Sequence, residues 1–182
     1  AIRPYPVRYV RQWTMKDGNP VTIRPIRPED EPQVARFHET LSERSVYFRY
    51  FHPMKLSQRV SHERLTRICF IDYDREMALV ADRRNPETGD HEIIGVGRLT
   101  KSRWADEAEF AIVVSDPYQG RGLGKELLRM LVEIGRHEKL HRITADILPE
   151  NQDMQHVSER VGFRLHHMTE EQIVRAEIDL RP

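Results

Sequence analysis

A short run of glycines and basic residues is the strongest candidate for a binding site in this sequence. Residues Gln119–Lys125 contain three alternating glycines together with two cations, Arg121 and Lys125. The preceding segment Glu107–Val114 alternates like a β-strand, and leucines recur at helical spacing from Leu123 onward. The run is therefore predicted to join a strand to the N-terminus of a helix.

That position gives the glycines a chemical use. The first N–H groups of a helix have no partners inside it, and the helix dipole adds partial positive charge there. Glycines let the backbone approach an anion closely, so Gly120, Gly122 and Gly124 favour a phosphate or pyrophosphate ligand. The spacing matches neither the GxxxxGK(S/T) loop of P-loop proteins nor the GxGxxG of dinucleotide-binding proteins. The alternative is a glycine-rich turn that binds nothing.

Two acids precede this loop on one face of the predicted strand. Because side chains alternate along a strand, Glu107 and Glu109 share a face with Ala111 and Val113. Either acid could simply be a solvated surface carboxylate, and we favour that interpretation for Glu107, which lies near the start of the strand. Glu109 lies nearer the loop, with apolar residues continuing its face, and is the candidate general base for a reaction at the bound ligand.

The elements around this site follow from hydrophobic spacing and turn signals. A hairpin is predicted around Lys16–Asn19, followed by three helical pieces, the second capped by Ser42 and the third by Ser57. Two strands, at residues 76–82 and 92–100, are predicted to pair. The central helix is followed by a strand, a helix that Asn151 caps, and two antiparallel closing strands. The aromatic segment Ser45–Phe51 fits either the core or one wall of a substrate cleft.

Composition excludes several classes of protein. The 182 residues contain 29 basic and 29 acidic side chains, a balance that argues against nucleic-acid binding. Apolar runs are short, so no membrane-spanning helix or signal peptide is predicted. A lone cysteine, Cys69, precludes an intrachain disulfide and fits a reduced cytoplasm. The nine histidines do not converge on three ligands, so no metal site is predicted.

The loop resembles a known family pattern. Gln119, Gly122 and Gly124 match Q/R-x-x-G-x-G/A, the acyl-CoA pyrophosphate loop of the GNAT N-acetyltransferase superfamily, and Pro149–Asn151 and Gly162-Phe163 follow at the family's usual distance. The resemblance implies an α/β (α+β) fold: a mixed, mostly antiparallel sheet flanked by helices, whose central strands splay apart to form the acyl-CoA cleft. It also implies the residues that contact acetyl-CoA: the backbone of Ile112, Val113 and Val114 for the pantetheine arm, the backbone of Gln119, Gly120, Arg121, Gly122, Leu123, Gly124 and Lys125 for the pyrophosphate, and Asn151.

A narrower resemblance concerns the first third of the chain. The run Tyr5–Phe51 is similar to bacterial protein lysine acetyltransferases, many of which carry a C-terminal GNAT domain beside an acyl-CoA-synthetase-like region. The segment 108–111 matches the strand in which these enzymes have a catalytic glutamate, which falls on Glu109. This implies residues 20–182 as the acetyltransferase domain, residues 1–19 as an extension or linker with one extra strand, and a place within a longer chain. The implied partner is a protein with an acceptor lysine, an acyl-CoA synthetase being one candidate.

The implied reaction is direct transfer of an acetyl group to a lysine amine, with Glu109 taking the proton directly or through water. Many GNAT enzymes supply a tyrosine as general acid, and Ser158 stands at the corresponding position here. Two other functions stay open: a GNAT enzyme for a small amine or amino acid, and a non-catalytic acyl-CoA sensor.

Overall fold

The part of the chain that the structure describes is built on one sheet of eight strands. The structure is a computed structural model that describes residues 3–103 and 106–182; Ala1 and Ile2 of the predicted extension lie outside it, as do Trp104 and Ala105. The strands are β1 (Arg11–Thr14), β2 (Pro20–Pro25), β3 (Glu76–Arg84), β4 (His91–Lys101), β5 (Glu107–Val114), β6 (Arg142–Ile147), β7 (Arg164–Met168) and β8 (Ile173–Asp179). Their order is β1-β2-β3-β4-β5-β6-β8-β7, and every neighbouring pair is antiparallel except the parallel β5 and β6.

Within the described ranges 3–103 and 106–182, six α-helices cover the two faces of the sheet. They are α1 (Glu31–Glu39), α2 (Glu43–Tyr50), α3 (Leu56–Arg59), α4 (His62–Cys69), α5 (Leu123–His137) and α6 (Gln152–Val161). Apolar side chains of α5 and α6 pack on one face, and those of α1, α2 and α4 pack on the other. The sheet therefore separates two hydrophobic cores, one on each side.

Most of the predicted helix ends are confirmed. The Ser42 side chain accepts a hydrogen bond from the N–H of Ser45 at 3.1 Å, and Asn151 accepts one from the N–H of Met154 at 3.2 Å. The third predicted helix is wrong in its start: the chain forms two short helices there, and Ser61, not Ser57, caps α4. A Ser61 hydroxyl one residue before the helix can reach its first free N–H groups, whereas Ser57 lies inside α3.

Two glycines of β4 let α5 approach the sheet closely. A Cβ on Gly95 would lie 3.0 Å from Leu123, and a Cβ on Gly97 would lie 3.3 Å from Leu131. Leu123, Leu127 and Leu131 are almost completely buried against this strip. Close packing against α5 therefore explains Gly95 and Gly97, and α5 is fixed firmly relative to β4.

The sheet opens between β5 and β6, as predicted. Their parallel pairing begins at Glu107 with Arg142 and ends at Glu109 with Thr144. Beyond Glu109, β5 stays paired with β4, while β6 continues alongside β8. The last part of β5 therefore has a strand on one side and a gap on the other, and the glycine loop follows at the end of that gap.

The N-terminal residues extend the sheet at the edge formed by β1. β1 pairs with β2 in an antiparallel hairpin, and the buried Tyr9 packs its ring against His137 of α5 at 5.8 Å. Tyr5 donates a hydrogen bond to the carbonyl of Pro25 at 2.6 Å. Among the described residues, no helix has the length and apolar character needed to cross a membrane.

Candidate active site

The backbone of β5 presents free hydrogen-bonding groups to the gap. Ser115 donates to Ile94 of β4 at 2.8 Å, which fixes the alternation of the ladder. By that alternation Val113 points its N–H and C=O to Val96 of β4, whereas Ile112 and Val114 point theirs toward the gap. Of the three predicted backbone contacts, two therefore face the opening and the third is used within the sheet.

The backbone conformation of the predicted anion loop is compatible with anion binding. Gly120 and Gly122 have φ values of 75° and 88°, the left-handed region that glycine adopts at low cost. Gly122 is the N-cap residue of α5, and no side chain caps the helix there. The N–H groups of the first turn therefore remain available at the positive end of a 15-residue helix. Leu123 contributes only its backbone, because its side chain is buried under β4.

Basic side chains surround this loop, and one of them is already paired. Arg121 forms an ion pair with Asp17 at the tip of the β1–β2 hairpin. A Cβ on Gly122 would lie 3.5 Å from the Lys16 side chain, so this cation of the hairpin also sits beside the loop, while Lys125 is exposed. The hairpin thus borders the predicted phosphate site, and the sequence did not indicate this contact because more than 100 residues separate Asp17 and Arg121.

A hydrogen-bonded clamp holds the loop to α2. The Gln119 side chain donates to the Val114 carbonyl and to the Ser45 hydroxyl, each at 3.0 Å. Asp116 accepts from the Ser42 N–H and from the Ser45 hydroxyl, also at 3.0 Å. Asp116-Pro117 is a pair typical of turns, so the sequence alone indicates a turn there. No local signal predicts the contacts of Asp116, because Ser42 and Ser45 lie more than 70 residues away in the chain.

Glu109 lies where the two strands part. Its side chain is exposed, on the face of the sheet covered by α1, α2 and α4, and its direct cross-strand neighbour is Thr100. Within the described residues no basic group lies close enough to Glu109 to form an ion pair. Glu107 differs, because its carboxylate lies 3.6 Å from Arg142 of β6. A substrate amine could therefore reach Glu109 without displacing a salt bridge.

Asn151 and Ser158, the two candidate residues that follow α5 in the chain, differ in how accessible their side chains are. Asn151 is half-buried at the start of α6, where its side-chain oxygen is occupied by capping. Ser158 is completely buried and donates its hydroxyl hydrogen to the Met154 carbonyl at 2.8 Å. The hydroxyl hydrogen of Ser158 is therefore committed to a bond inside its own helix.

Cys69 is not placed for nucleophilic chemistry. It is 1% exposed at the end of α4, and burial raises the pKa of its thiol to about 12. The thiolate, which is the reactive form, is therefore strongly disfavoured at neutral pH.

Comparison with known proteins identifies relatives over nearly the whole fold. Residues 21–164 match the family described as "Acetyltransferase (GNAT) domain". Acetyltransferase PA5475 of Pseudomonas aeruginosa is 29% identical over 150 residues, covering 82% of this chain and 78% of that protein. Acetyltransferase Pat of Mycolicibacterium smegmatis is 26% identical over 161 residues, covering 88% of this chain and 44% of that protein. The crystal structure of the GNAT domain of S. lividans PAT is similar with a TM-score of 0.84 and 30% identity, over 97% of this chain and 100% of that one.

The family match covers well over half of the chain and includes β5, the glycine loop and α5. GNAT acetyltransferases use acetyl-CoA, and an uncapped helix N-terminus beside an open strand edge suits its pyrophosphate and its amide-containing arm. The chain belongs to the GNAT family and is an acetyl-CoA-dependent N-acetyltransferase.

Proposed function

We propose that the chain transfers an acetyl group from acetyl-CoA to a lysine side chain of a protein, with Glu109 as general base. The observation that carries this proposal is the position of Glu109, exposed and without an ion pair among the described residues, at the point where β5 and β6 separate. Similarity to two proteins named Pat, and the resemblance of Tyr5–Phe51 to protein lysine acetyltransferases, support a protein acceptor.

Acetyl-CoA binds mainly through backbone groups in this proposal. The N–H groups of Gln119–Lys125 hold the pyrophosphate, with Arg121 and Lys125 adding positive charge. Ile112 presents its N–H and C=O to the pantetheine amides along the gap, and Val114 presents its N–H, since the Val114 carbonyl already accepts from Gln119. Asn151 contributes from the opposite side, at the start of α6.

The proton must leave the amine before the amine attacks the thioester. A lysine amine has a pKa of about 10.4 and is mostly ammonium at neutral pH. Glu109 takes this proton directly or through one water molecule. The Ile112 N–H, which faces the gap, stabilises the oxyanion of the tetrahedral intermediate. The nitrogen–carbon bond forms, the carbon–sulfur bond breaks, and CoA leaves as a thiolate.

No further side chain is needed for the leaving group. Free thiols have a pKa near ~8.5, so the thiolate leaves without an acid far more easily than an amine would. This agrees with the buried hydroxyl of Ser158 and with the inert thiol of Cys69. Attack is direct, without an acetyl-enzyme intermediate.

The test is to incubate the protein with acetyl-CoA and bacterial lysate, and to map acetyl-lysines by mass spectrometry against an enzyme-free control. Enzyme-dependent acetyl-lysines on a limited set of proteins are the expected result. Acetylation of free small amines in the same lysate, with no such sites on proteins, would contradict a protein acceptor. Binding of acetyl-CoA with no transfer at all would instead indicate a sensor.

A further inference from the structure

A cleft of about 480 Å³ lies beside Glu109, on the face of the sheet opposite α5. Its floor is formed by Val96, Arg98 and Thr100 of β4 and by Ala111 and Val113 of β5. Side chains of α1, α2 and α4 form its walls, and the aromatic segment contributes Arg49 and Tyr50. Arg49 and Tyr50 of the aromatic segment thus line a cleft, while Val46 of the same helix lies in the core.

The lining of the cleft is strongly positive. Four arginines line it against a single carboxylate, Glu76: Arg49, Arg64, Arg67 and Arg98. Arg98 lies 3.7 Å from that carboxylate and donates to the Ile68 carbonyl at 2.5 Å. Arg49 and Arg67 have no carboxylate within ion-pair distance in the part of the chain that the structure describes. At least two guanidinium groups that line the cleft thus have no carboxylate partner among the described residues.

Among the side chains that line the cleft, hydrogen-bond donors also outnumber acceptors. Arg64 donates to the Tyr50 hydroxyl at 3.0 Å, yet its buried Nε has no partner among the described residues. Arg59 approaches Nδ1 of His38 at 3.3 Å. A guanidinium can only donate, so Nδ1 accepts and the His38 proton lies on Nε2. Guanidinium groups, an imidazole N–H and one phenol therefore provide mostly donors, which suits a ligand rich in acceptor oxygens.

The titration of the lining groups reflects the same excess of positive charge. Burial lowers the pKa of Arg49, and the nearby Arg64 lowers it further. Burial lowers the pKa of His38 to about 4, and the charges of surrounding arginines act in the same direction. An anion in the cleft would relieve both effects by giving the buried cations a partner.

The cleft is positioned for the acceptor rather than for acetyl-CoA. The glycine loop and α5 serve the phosphates, and α5 packs on the other face of the sheet. On the cleft face, Thr100 is the direct neighbour of Glu109, and Arg98 lies one same-face step further along β4. That step is about 7 Å, so a group bound by the arginines would lie roughly one or two such steps from the reacting amine.

We propose that this cleft binds a carboxylate or phosphate group carried by the acceptor protein close to its target lysine. The inference rests on the proposed function and adds a rule for choosing substrates to it: the preferred lysines have an acidic residue nearby. Arg49 and Arg67 are the specificity-determining residues, because they have no structural ion pair to maintain.

The experiment compares the native protein with Arg49→Gln and with the control Arg36→Gln. Arg36 is exposed on α1, outside the cleft, so the control removes the same charge elsewhere. Each protein is incubated with acetyl-CoA and native lysate, and acetyl-lysines are quantified by mass spectrometry. In parallel, citrate is used as a small anionic probe in thermal unfolding, with sodium chloride at equal ionic strength as reference.

We expect the enzyme-dependent sites of the native protein to be enriched in Asp and Glu within five residues of the lysine. Arg49→Gln should slow acetylation of those sites about tenfold, the effect of losing one charge-assisted hydrogen bond, with acetyl-CoA affinity unchanged. Arg36→Gln should leave rate and enrichment unchanged. Citrate should raise the unfolding temperature of the native protein more than that of Arg49→Gln.

The remaining outcomes separate the two proposals. Enzyme-dependent sites without acidic neighbours, acetylated equally by Arg49→Gln, overturn the cleft inference and leave lysine acetylation standing. The same absence of enrichment combined with citrate stabilisation that requires Arg49 makes the ligand a free small acid, and overturns an acceptor-borne anion. No enzyme-dependent sites at all overturn the proposed function, and the cleft inference with it.

Discussion

At the scale of single residues, the two strand acids are distinguished by their partners. Glu107 is half-buried and lies 3.6 Å from Arg142 on the neighbouring strand, so its carboxylate helps hold β5 to β6 where they still pair. Glu109 is exposed at the last paired position, beside the cleft. The same side of one strand thus carries an acid with a structural partner and an acid available to a substrate.

The first prediction follows from this difference. Glu109→Gln should fold normally and bind acetyl-CoA with little change, because the proposed cofactor contacts are mostly backbone. Its acetyl transfer should fall by about 10²–10⁴-fold near neutral pH. The defect should shrink as the pH approaches the amine pKa of about 10.4, where more lysine arrives deprotonated. Radiolabelled transfer to lysate proteins across a pH series, with binding measured by calorimetry, checks this.

Glu107→Gln is the matched control, since it removes a carboxylate from the same face two residues away. This variant should lose the ion pair with Arg142 but keep most of its activity. If Glu107→Gln is the crippled variant, the base is misassigned by one repeat of the strand. If neither variant is impaired, water or the substrate's own surroundings accept the proton.

Ser158 gives a second residue-scale prediction. Its hydroxyl donates to the Met154 carbonyl inside α6, so Ser158→Ala should keep most of the activity. The helix carbonyl keeps its backbone partner, and stability should change by only about 1 kcal/mol. Steady-state kinetics decide the matter: a loss above roughly a hundredfold, the lower range for a positioned acid or base, means that the hydroxyl reaches the thiolate after all.

At the scale of elements, the proposed phosphate site is assembled from three parts of the chain. The loop supplies backbone N–H groups, α5 supplies the dipole, and the β1–β2 hairpin brings Lys16 and Asp17 to the loop. The clamp from Asp116 and Gln119 to α2 fixes the start of the loop. Because these contacts converge, the loop can be held in its left-handed conformation without a ligand.

Gly124 allows the anion site to be tested without backbone strain. A Cβ there would have Val114 as its nearest neighbour at 4.0 Å, so Gly124→Ala should fit and change acetyl-CoA affinity little. Gly124→Asp adds a negative charge in the first turn of α5, where phosphate is proposed to bind, and should weaken binding at least tenfold. Calorimetry on both folded variants separates charge from bulk. Equal affinities for the alanine and aspartate variants would refute the loop as the pyrophosphate site.

Local patterns predicted the elements better than they predicted the cleft. Ser42 and Asn151 lie within a few residues of the groups they cap, so the sequence contains the whole interaction. The strand, loop and helix around Gly122 were predicted for the same reason. The prediction that Ser57 caps this helix is wrong because Ser61, four residues later, has the same hydroxyl and can cap a helix equally well. Tertiary packing selects between the two serines.

The arginine-lined cleft had no comparable local signal. Arg49 lies on α2, Arg64 and Arg67 lie on α4, and Arg98 lies on β4. Each one alone looks like an ordinary solvated cation in a chain with 32% charged residues. Only the packing of α2 and α4 across the sheet brings them together, and that packing depends on contacts between distant segments. The same limit applies to the contact between Asp17 and Arg121.

At the scale of the whole molecule, the sheet separates two chemical environments. The α5 side is an apolar core that anchors the helix following the glycine loop, with Leu127, Leu128 and Leu131 fully buried. The other side carries a smaller core interrupted by the positive cleft. His38 lies at the boundary of that core, 3% exposed, and is surrounded by arginines from α2, α3, α4 and β4. Its burial couples the chemistry of the cleft to the stability of the fold.

This coupling predicts how stability depends on pH. His38 has an ordinary pKa of 6.5 in the unfolded chain, and burial lowers it to about 4 in the folded protein. Between these values the unfolded state binds the proton and the folded state does not, so the free energy of unfolding falls as the pH falls from about 6.5 to about 4. The loss amounts to roughly 3 kcal/mol in this window.

His38→Gln removes the titrating group, so the free energy of unfolding of this variant should fall by roughly 3 kcal/mol less than that of the native protein over the same pH range. His156→Gln, exposed on α6, should keep the native slope. Urea unfolding at several pH values between 7 and 4.5 measures the slopes. Identical pH dependence in His38→Gln and the native protein would show that the folded protein protonates His38 as readily as the unfolded chain does, and would contradict the lowered pKa.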